Sequence, residues 1–143
     1  MYEDQLKSVE LFGDLDPKEL KLLAKTCTER QYPVNAVLMK EGEAGAGLFI
    51  LVEGKVRVTQ TDGPNRPQRE LTVLGAGEVI GEMSLLDDLP RSATVTTLEP
   101  SRCLLMSVWD FRASLRESPD IAIKLLAELS RRLRKTEQLL HHK

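Results

Sequence analysis

The chain reads as mainly β with flanking helices: a double-stranded β-helix, or jelly-roll barrel, preceded by N-terminal helices and followed by a long C-terminal helix. Three observations predict this. Between Gln31 and Val108, short runs of β-branched and apolar residues are punctuated by glycines at 42, 45, 47, 54, 63, 75, 77 and 81, the pattern of short strands joined by turns. On both sides of that stretch the apolar spacing returns to a helical turn. At 143 residues the chain is long enough for one domain to bury a core without metal or disulfide staples. The expected organisation is one domain, 1–143: helices over 1–30, barrel over 31–108 and helices over 109–143.

The opening helices rest on Val9, Leu11 and Phe12, followed by Asp16 as an N-cap and Pro17 at the first helical position. Leu20, Leu22, Leu23 and Cys27 then form a stripe at close to helical spacing. In the barrel, Leu48 to Val52 and Lys55 to Thr59 flank Glu53-Gly54 and predict a hairpin, its second arm turning Val56 and Val58 inward and Lys55 and Arg57 outward. Thr61 to Gln68, with Gly63, Pro64 and Pro67, is a polar loop. Leu71 to Leu74, Ala93 to Leu98 and Arg102 to Val108 are further strands, the last two joined by a turn at Pro100. Short, evenly spaced strands of this kind close into a small barrel or double sheet.

After Trp109, Phe111 and Leu115 mark a short helix, and Ser118-Pro119-Asp120 starts a second with an N-cap, a first-turn proline and an acid on its positive end. Ala122, Leu126, Leu129, Leu133, Thr136 and Leu140 alternate four and three apart, a coiled-coil seam with one polar position. The flanking line Leu125, Arg132 and Leu139 is assigned to the domain's own barrel, and the seam to a partner helix; a single broad stripe folded back on a monomer is the alternative.

Composition narrows the function. A net charge of −2 provides no global attraction for nucleic acid, and the cluster Arg131, Arg132, Arg134 and Lys135 reads as solvated helix surface beside Glu128 and Glu137. The longest apolar runs are too short to span a bilayer, and the start MYEDQLKSVE lacks the apolar core of a secretory signal. A cytoplasmic location is expected. Cys27 and Cys103 have no metal-ligand spacing and read as buried small apolar residues, while His141 and His142 read as tail.

The stretch GEMSLLDDLPRSA, residues 81 to 93, carries the chemistry. Gly81 removes a side chain where a ligand can approach the backbone, and MSLLDD can make a helical turn whose amides face an anion. Arg91 offers a planar fork for two parallel hydrogen bonds to phosphate, and Ser92 adds a hydroxyl. Glu82 repels phosphate but accepts strongly from a sugar hydroxyl, so a ribose phosphate satisfies both side chains. A plain Glu82–Arg91 salt bridge, a plain turn at Gly81 and a polar edge at Ser92 are the structural alternatives.

These residues resemble the cyclic nucleotide-binding domain of the catabolite activator protein, the cyclic-nucleotide-dependent kinases and the cyclic-nucleotide-gated channels. IGEMSLLDDLPRSATV, residues 80 to 95, is similar to that family's phosphate-binding cassette (80–93) almost residue for residue. LFGDL, EGEAGAGLFILVEGKVRV and PDIAIKLLAELSRRLRKTEQ extend the resemblance over nearly the whole chain. It implies Glu82 on the ribose 2′-hydroxyl, Arg91 on the exocyclic phosphate oxygens, and Ser92 on a phosphate oxygen or the base. Gly81, Met83, Ser84 and Ala93 would line the phosphate pocket through the backbone; Leu71, Thr72 and Leu74 would flank the purine; Arg132 and Thr136 would reach the glutamate and the base from the last helix.

On this reading the chain is a binding module with no catalytic residues, no metal and no cofactor, its ligand being cyclic AMP or cyclic GMP. Occupancy would shift the last helix and so change dimer geometry or an effector protein's surface. The family's transcription factors continue into a helix-turn-helix, whereas few residues follow Leu140 here, so DNA binding is not expected. Glu137 replaces a small hydroxyl that would assist base contact, which leaves purine choice open. The barrel lacks the clustered histidines of cupin enzymes and the metal site or nucleophile and base of a phosphodiesterase. A ligand-free dimerisation module, or a piece of a larger cyclic-nucleotide-regulated protein, is the alternative.

Overall fold

The computed structural model describes residues 2–44, 47–61, 65–87 and 89–141. Gly45, Gly63 and Pro64 of the predicted turns, Asp88 of the cassette and His142 lie outside the described residues. The chain divides into two compact units, a helical one from 1–25 with 110–143 and a β one over 26–109.

In the helical unit, α1 (Glu3–Lys7), a 3-10 turn (Glu10–Phe12) and α2 (Pro17–Ala24) open the chain, and α4 (Pro119–His141) ends the described part. Asp16 caps α2 as its sequence predicts. Its carboxylate accepts from the Glu19 amide at 2.8 Å, and the Glu19 carboxylate accepts from the Asp16 amide at 2.9 Å, a reciprocal capping box. Lys124 of α4 donates to the same Glu19 carboxylate at 2.5 Å. Phe12 and Phe111 pack with ring centroids 6.2 Å apart, and Leu6, Leu11, Leu23, Ile121 and Leu125 of the same unit are buried. The predicted flanking line of α4 is buried only in part: Leu125 is buried, but Leu139 is 69 % exposed, as are most of the seam leucines Leu126, Leu133 and Leu140 to a similar degree. α3 (Val108–Glu117) begins one residue before Trp109.

The β unit contains β1 (Thr28–Tyr32), β2 (Val37–Met39), β3 (Gly47–Glu53), β4 (Lys55–Gln60), β5 (Arg69–Gly75), β6 (Val79–Ile80), β7 (Thr94–Thr97) and β8 (Ser101–Ser107). They form two antiparallel sheets, ordered β1-β8-β3-β6 and β2-β7-β4-β5. Met39, Phe49, Leu51, Val56, Ile80, Val95 and Cys103 fill the core from both. This is the predicted mainly β jelly roll, with three differences. β1 starts at Thr28, inside the segment read as helix, and Cys27 precedes it rather than lying on α2, because cross-strand bonding to β8 from Thr28 to Tyr32 decides the assignment. The three-residue β2 and the two-residue β6 are too short to leave a periodic signal. Third, Glu53-Gly54 is not a hairpin. Both edges of β3 are taken by β8 and β6, and both edges of β4 by β7 and β5, so the chain crosses between sheets there. Gly54 makes the crossing with φ +114°, where a Cβ would lie 2.1 Å from the Ser101 hydroxyl. Val56 and Val58 do turn inward, as alternation requires.

Candidate functional site

The cassette leaves the sheet at β6, whose Ile80 pairs with Phe49 of β3. Gly81 then adopts φ +81° and starts a 3-10 turn over Glu82–Leu85, one residue earlier than the sequence suggests, closed by the Ser84 amide on the Gly81 carbonyl at 3.0 Å. Leu85 is buried and anchors the turn. Asp87 Oδ1 accepts from the Leu89 amide at 3.2 Å and bends the chain back. Pro90 bridges to Ala44, the Arg91 amide donates to the Glu43 carbonyl at 2.8 Å, and the Gly42 amide donates to the Arg91 carbonyl at 2.9 Å. The backbone on both sides of the arginine is therefore held by the segment before β3.

Arg91 is 6 % exposed. Its Nη2 donates to the Gly47 carbonyl and its Nη1 to the Ser84 hydroxyl, both at 2.5 Å. Burial pulls the guanidinium below its ordinary pKa, and the Asp87 carboxylate acts in the opposite sense. Gly81 has a role here that its position in the sequence does not reveal: a Cβ would lie 2.3 Å from Arg91 Nη1. The glycine leaves the space the arginine occupies.

These residues line a cavity of about 510 Å³, within the roughly 300–1,000 Å³ typical of small-molecule sites. Of the predicted ligand residues it gathers Thr72, Leu74, Gly81, Glu82, Met83, Ser84, Arg91, Ser92 and Ala93. Leu71 is not in the lining. Strand alternation turns Thr72 and Leu74 into the cavity and Leu71 to the other face of β5, where it is exposed. Arg132 and Thr136 lie on α4 of the helical unit, where Arg132 donates to Glu128 at 3.3 Å and the Thr136 hydroxyl to the Arg132 carbonyl at 3.0 Å.

Missing from the predicted ligand set are Met39, Val58, Val79, Ile80, Asp87, Leu89, Pro90 and Val95 of the lining. Asp87, Leu89 and Pro90 lie inside the cassette, and its compactness was the signal that could have found them; for Met39, 42 positions before Gly81, no local signal exists. One further residue holds the site from behind: Gln60 donates through Nε2 to the Ser92 carbonyl at 2.9 Å. The result is a largely apolar cavity whose lining also holds the buried Arg91 cation, the Glu82 and Asp87 carboxylates and the Thr72, Ser84 and Ser92 hydroxyls, suited to a small anion that carries hydroxyls and a flat apolar part. Among the described residues no group of three or more His, Cys, Asp or Glu could hold a metal ion, and no helix is long and apolar enough to cross a membrane.

Residues 29–118 match the cyclic nucleotide-binding domain family. The chain is 36 % identical over 132 residues to a cyclic AMP receptor protein of Thermus thermophilus, covering 92 % of this chain and 61 % of that protein, so it spans about three fifths of that relative's length. Among solved structures, the N-terminal domain of a transcriptional regulator from Streptomyces coelicolor superposes with a TM-score of 0.86 at 35 % identity, covering 96 % of this chain and 95 % of that one. The regulatory domain of Toxoplasma gondii protein kinase A, crystallised with cyclic AMP, superposes with a TM-score of 0.73 at 26 % identity over 90 % of this chain and 49 % of that one.

Proposed function

The chain belongs to the cyclic nucleotide-binding domain family, and from that premise we propose that it is a regulatory module that binds cyclic AMP or cyclic GMP in the cassette cavity. The observation that carries the proposal is the buried Arg91 guanidinium, held at the cavity wall by Gly47 and Ser84 with Gly81 making room for it. A buried cation in an apolar pocket demands an anion, and a phosphate takes two of its donors at once. Glu82 and Ser92 in the same lining suit a ribose hydroxyl and a phosphate oxygen. Thr72 and Leu74 in the same lining support a base on that side. Arg132 and Thr136 stand in this ligand set on the family resemblance alone.

The output element is α4. Its exposed Leu126, Leu133 and Leu140 support a dimer seam or an effector surface that ligand occupancy would shift. Cyclic AMP and cyclic GMP, titrated separately by calorimetry with 5′-AMP as the open-phosphate control, test the proposal. Saturable heat with a cyclic nucleotide and none with 5′-AMP is expected; no heat with either cyclic nucleotide, from folded protein, rejects it.

A further inference from the structure

Asp87 takes no part in the ligand contacts assigned to the cassette, yet it lines the same cavity as Glu82 and Arg91. The end of the 3-10 turn holds it there: the Asp87 amide donates to the Met83 carbonyl at 3.4 Å, and Asp87 Oδ1 accepts from the Leu89 amide at 3.2 Å. Among the described lining residues Arg91 is the one cation, against the two carboxylates of Glu82 and Asp87. The empty cavity is therefore negative by one charge. Burial lowers the pKa of the Arg91 guanidinium, and the Asp87 charge opposes that shift, so the two groups feel each other.

Arg91 also has few donors to spare. Of the five N–H groups of an arginine, one on Nη1 goes to the Ser84 hydroxyl and one on Nη2 to the Gly47 carbonyl, so at most three remain. Those can serve the two exocyclic oxygens of a cyclic phosphodiester, which carries a single negative charge. A phosphate monoester brings a third terminal oxygen and a second charge. The described lining has no further cation to meet them, and Asp87 adds a like charge instead.

On the reading that this cavity takes a cyclic nucleotide, we infer that Asp87 is a specificity-determining residue: its carboxylate tolerates a singly charged cyclic phosphodiester and excludes doubly charged phosphate monoesters such as 5′-AMP. Coulomb repulsion scales with the charge of the ligand. A monoester of about −2 near pH 7 thus feels about twice the repulsion that the diester feels. Asp87 is exposed, so salt screens the effect.

The test is calorimetry of the whole chain at about 0.1 M and about 1 M salt, weak ligands being measured by competition against the cyclic nucleotide. The ligands are cyclic AMP, 5′-AMP and adenosine 5′-methylphosphate, an open ester with a single charge, with the guanosine series in parallel. Asp87→Asn keeps an acceptor for the Leu89 amide and removes the charge. At low salt it should tighten the cyclic nucleotide about threefold and 5′-AMP by about the square of that, roughly tenfold. The methyl ester should gain only the smaller factor, and high salt should shrink both gains. Asp87→Ser, a second uncharged variant, should act in the same direction, and Asp87→Glu should keep wild-type discrimination; amide-spectrum dispersion reports the fold of each. No binding of either cyclic nucleotide by folded wild-type protein overturns the cyclic-nucleotide reading and this inference with it. Cyclic nucleotide binding in which the uncharged variants leave discrimination unmoved, the methyl ester gains as much as 5′-AMP, or salt leaves the gains intact overturns the inference alone.

Discussion

Replacing Gly81 with alanine separates a conformational cost from a steric one, and Gly77 is the internal control. Both glycines sit at positive φ, +81° and +91°, where an L side chain costs about 1–2 kcal/mol. A Cβ on Gly77 meets nothing within 4 Å, whereas one on Gly81 lies 2.3 Å from Arg91 Nη1, 2.8 Å from Met39 Cε and 3.0 Å from the Gly47 carbonyl oxygen. Gly77→Ala should therefore lose only the conformational part. Gly81→Ala should lose about 1–3 kcal/mol more, the usual penalty of forcing atoms into a packed site. The groups able to yield are the guanidinium and the methionine methyl, and moving the guanidinium breaks its bonds to Gly47 and Ser84. The effect thus reaches binding: cyclic nucleotide affinity should fall at least about tenfold, about 1.4 kcal/mol, in Gly81→Ala and stay unchanged in Gly77→Ala. Urea unfolding measures the first quantity and calorimetry the second. Equal destabilisation of the two variants, or wild-type affinity in Gly81→Ala, would refute the reasoning.

Arg91→Ala should remove about 1.5–3 kcal/mol of charge-assisted hydrogen bonding to ligand, ten- to a hundredfold in affinity; Arg91→Lys, which cannot hold two parallel bonds, should recover only part, and a wild-type isotherm from Arg91→Ala would sink the cassette assignment. The Glu19 amide bonded to the Asp16 carboxylate, with Lys124 nearby, holds Asp16 below its ordinary pKa. Such a group contributes stability that is complete above its unfolded-state pKa of about 4 and is lost as pH falls through the lower folded value, so Asp16→Asn should flatten the acid limb of a stability–pH curve. An unchanged acid limb would show that the box does not titrate as argued. Burial pushes the Cys27 and Cys103 thiols up to about 11, and Cys103 is fully buried; iodoacetamide at about pH 8 should leave Cys103 unmodified until urea unfolds the chain, as mass spectrometry would report.

What was legible in the sequence was local. Asp16, Pro17 and Glu19 lie within one helical turn, so the capping box could be anticipated from residue types and spacing. Gly81, Glu82, Arg91 and Ser92 lie within one short segment, and a turn bringing its ends together was enough to place them at one site. β4, with alternating Val56 and Val58, carried its own periodic signal.

Pairing and long-range contact were decided only in three dimensions. Nothing local distinguishes a hairpin at Glu53-Gly54 from a crossing between sheets; that depends on β6, β7 and β8, up to about fifty residues later in the chain, occupying the edges of β3 and β4. The Gly47 carbonyl that holds Arg91 is 44 positions away, and the apolar walls contributed by Met39 and Val95 come from two further strands. By itself, then, the sequence marked the capped helix α2, the alternating strand β4 and the residue types gathered in the cassette, because those depend on neighbours along the chain. The tertiary structure decided what the cassette packs against and which faces stay open, because those depend on which strands meet.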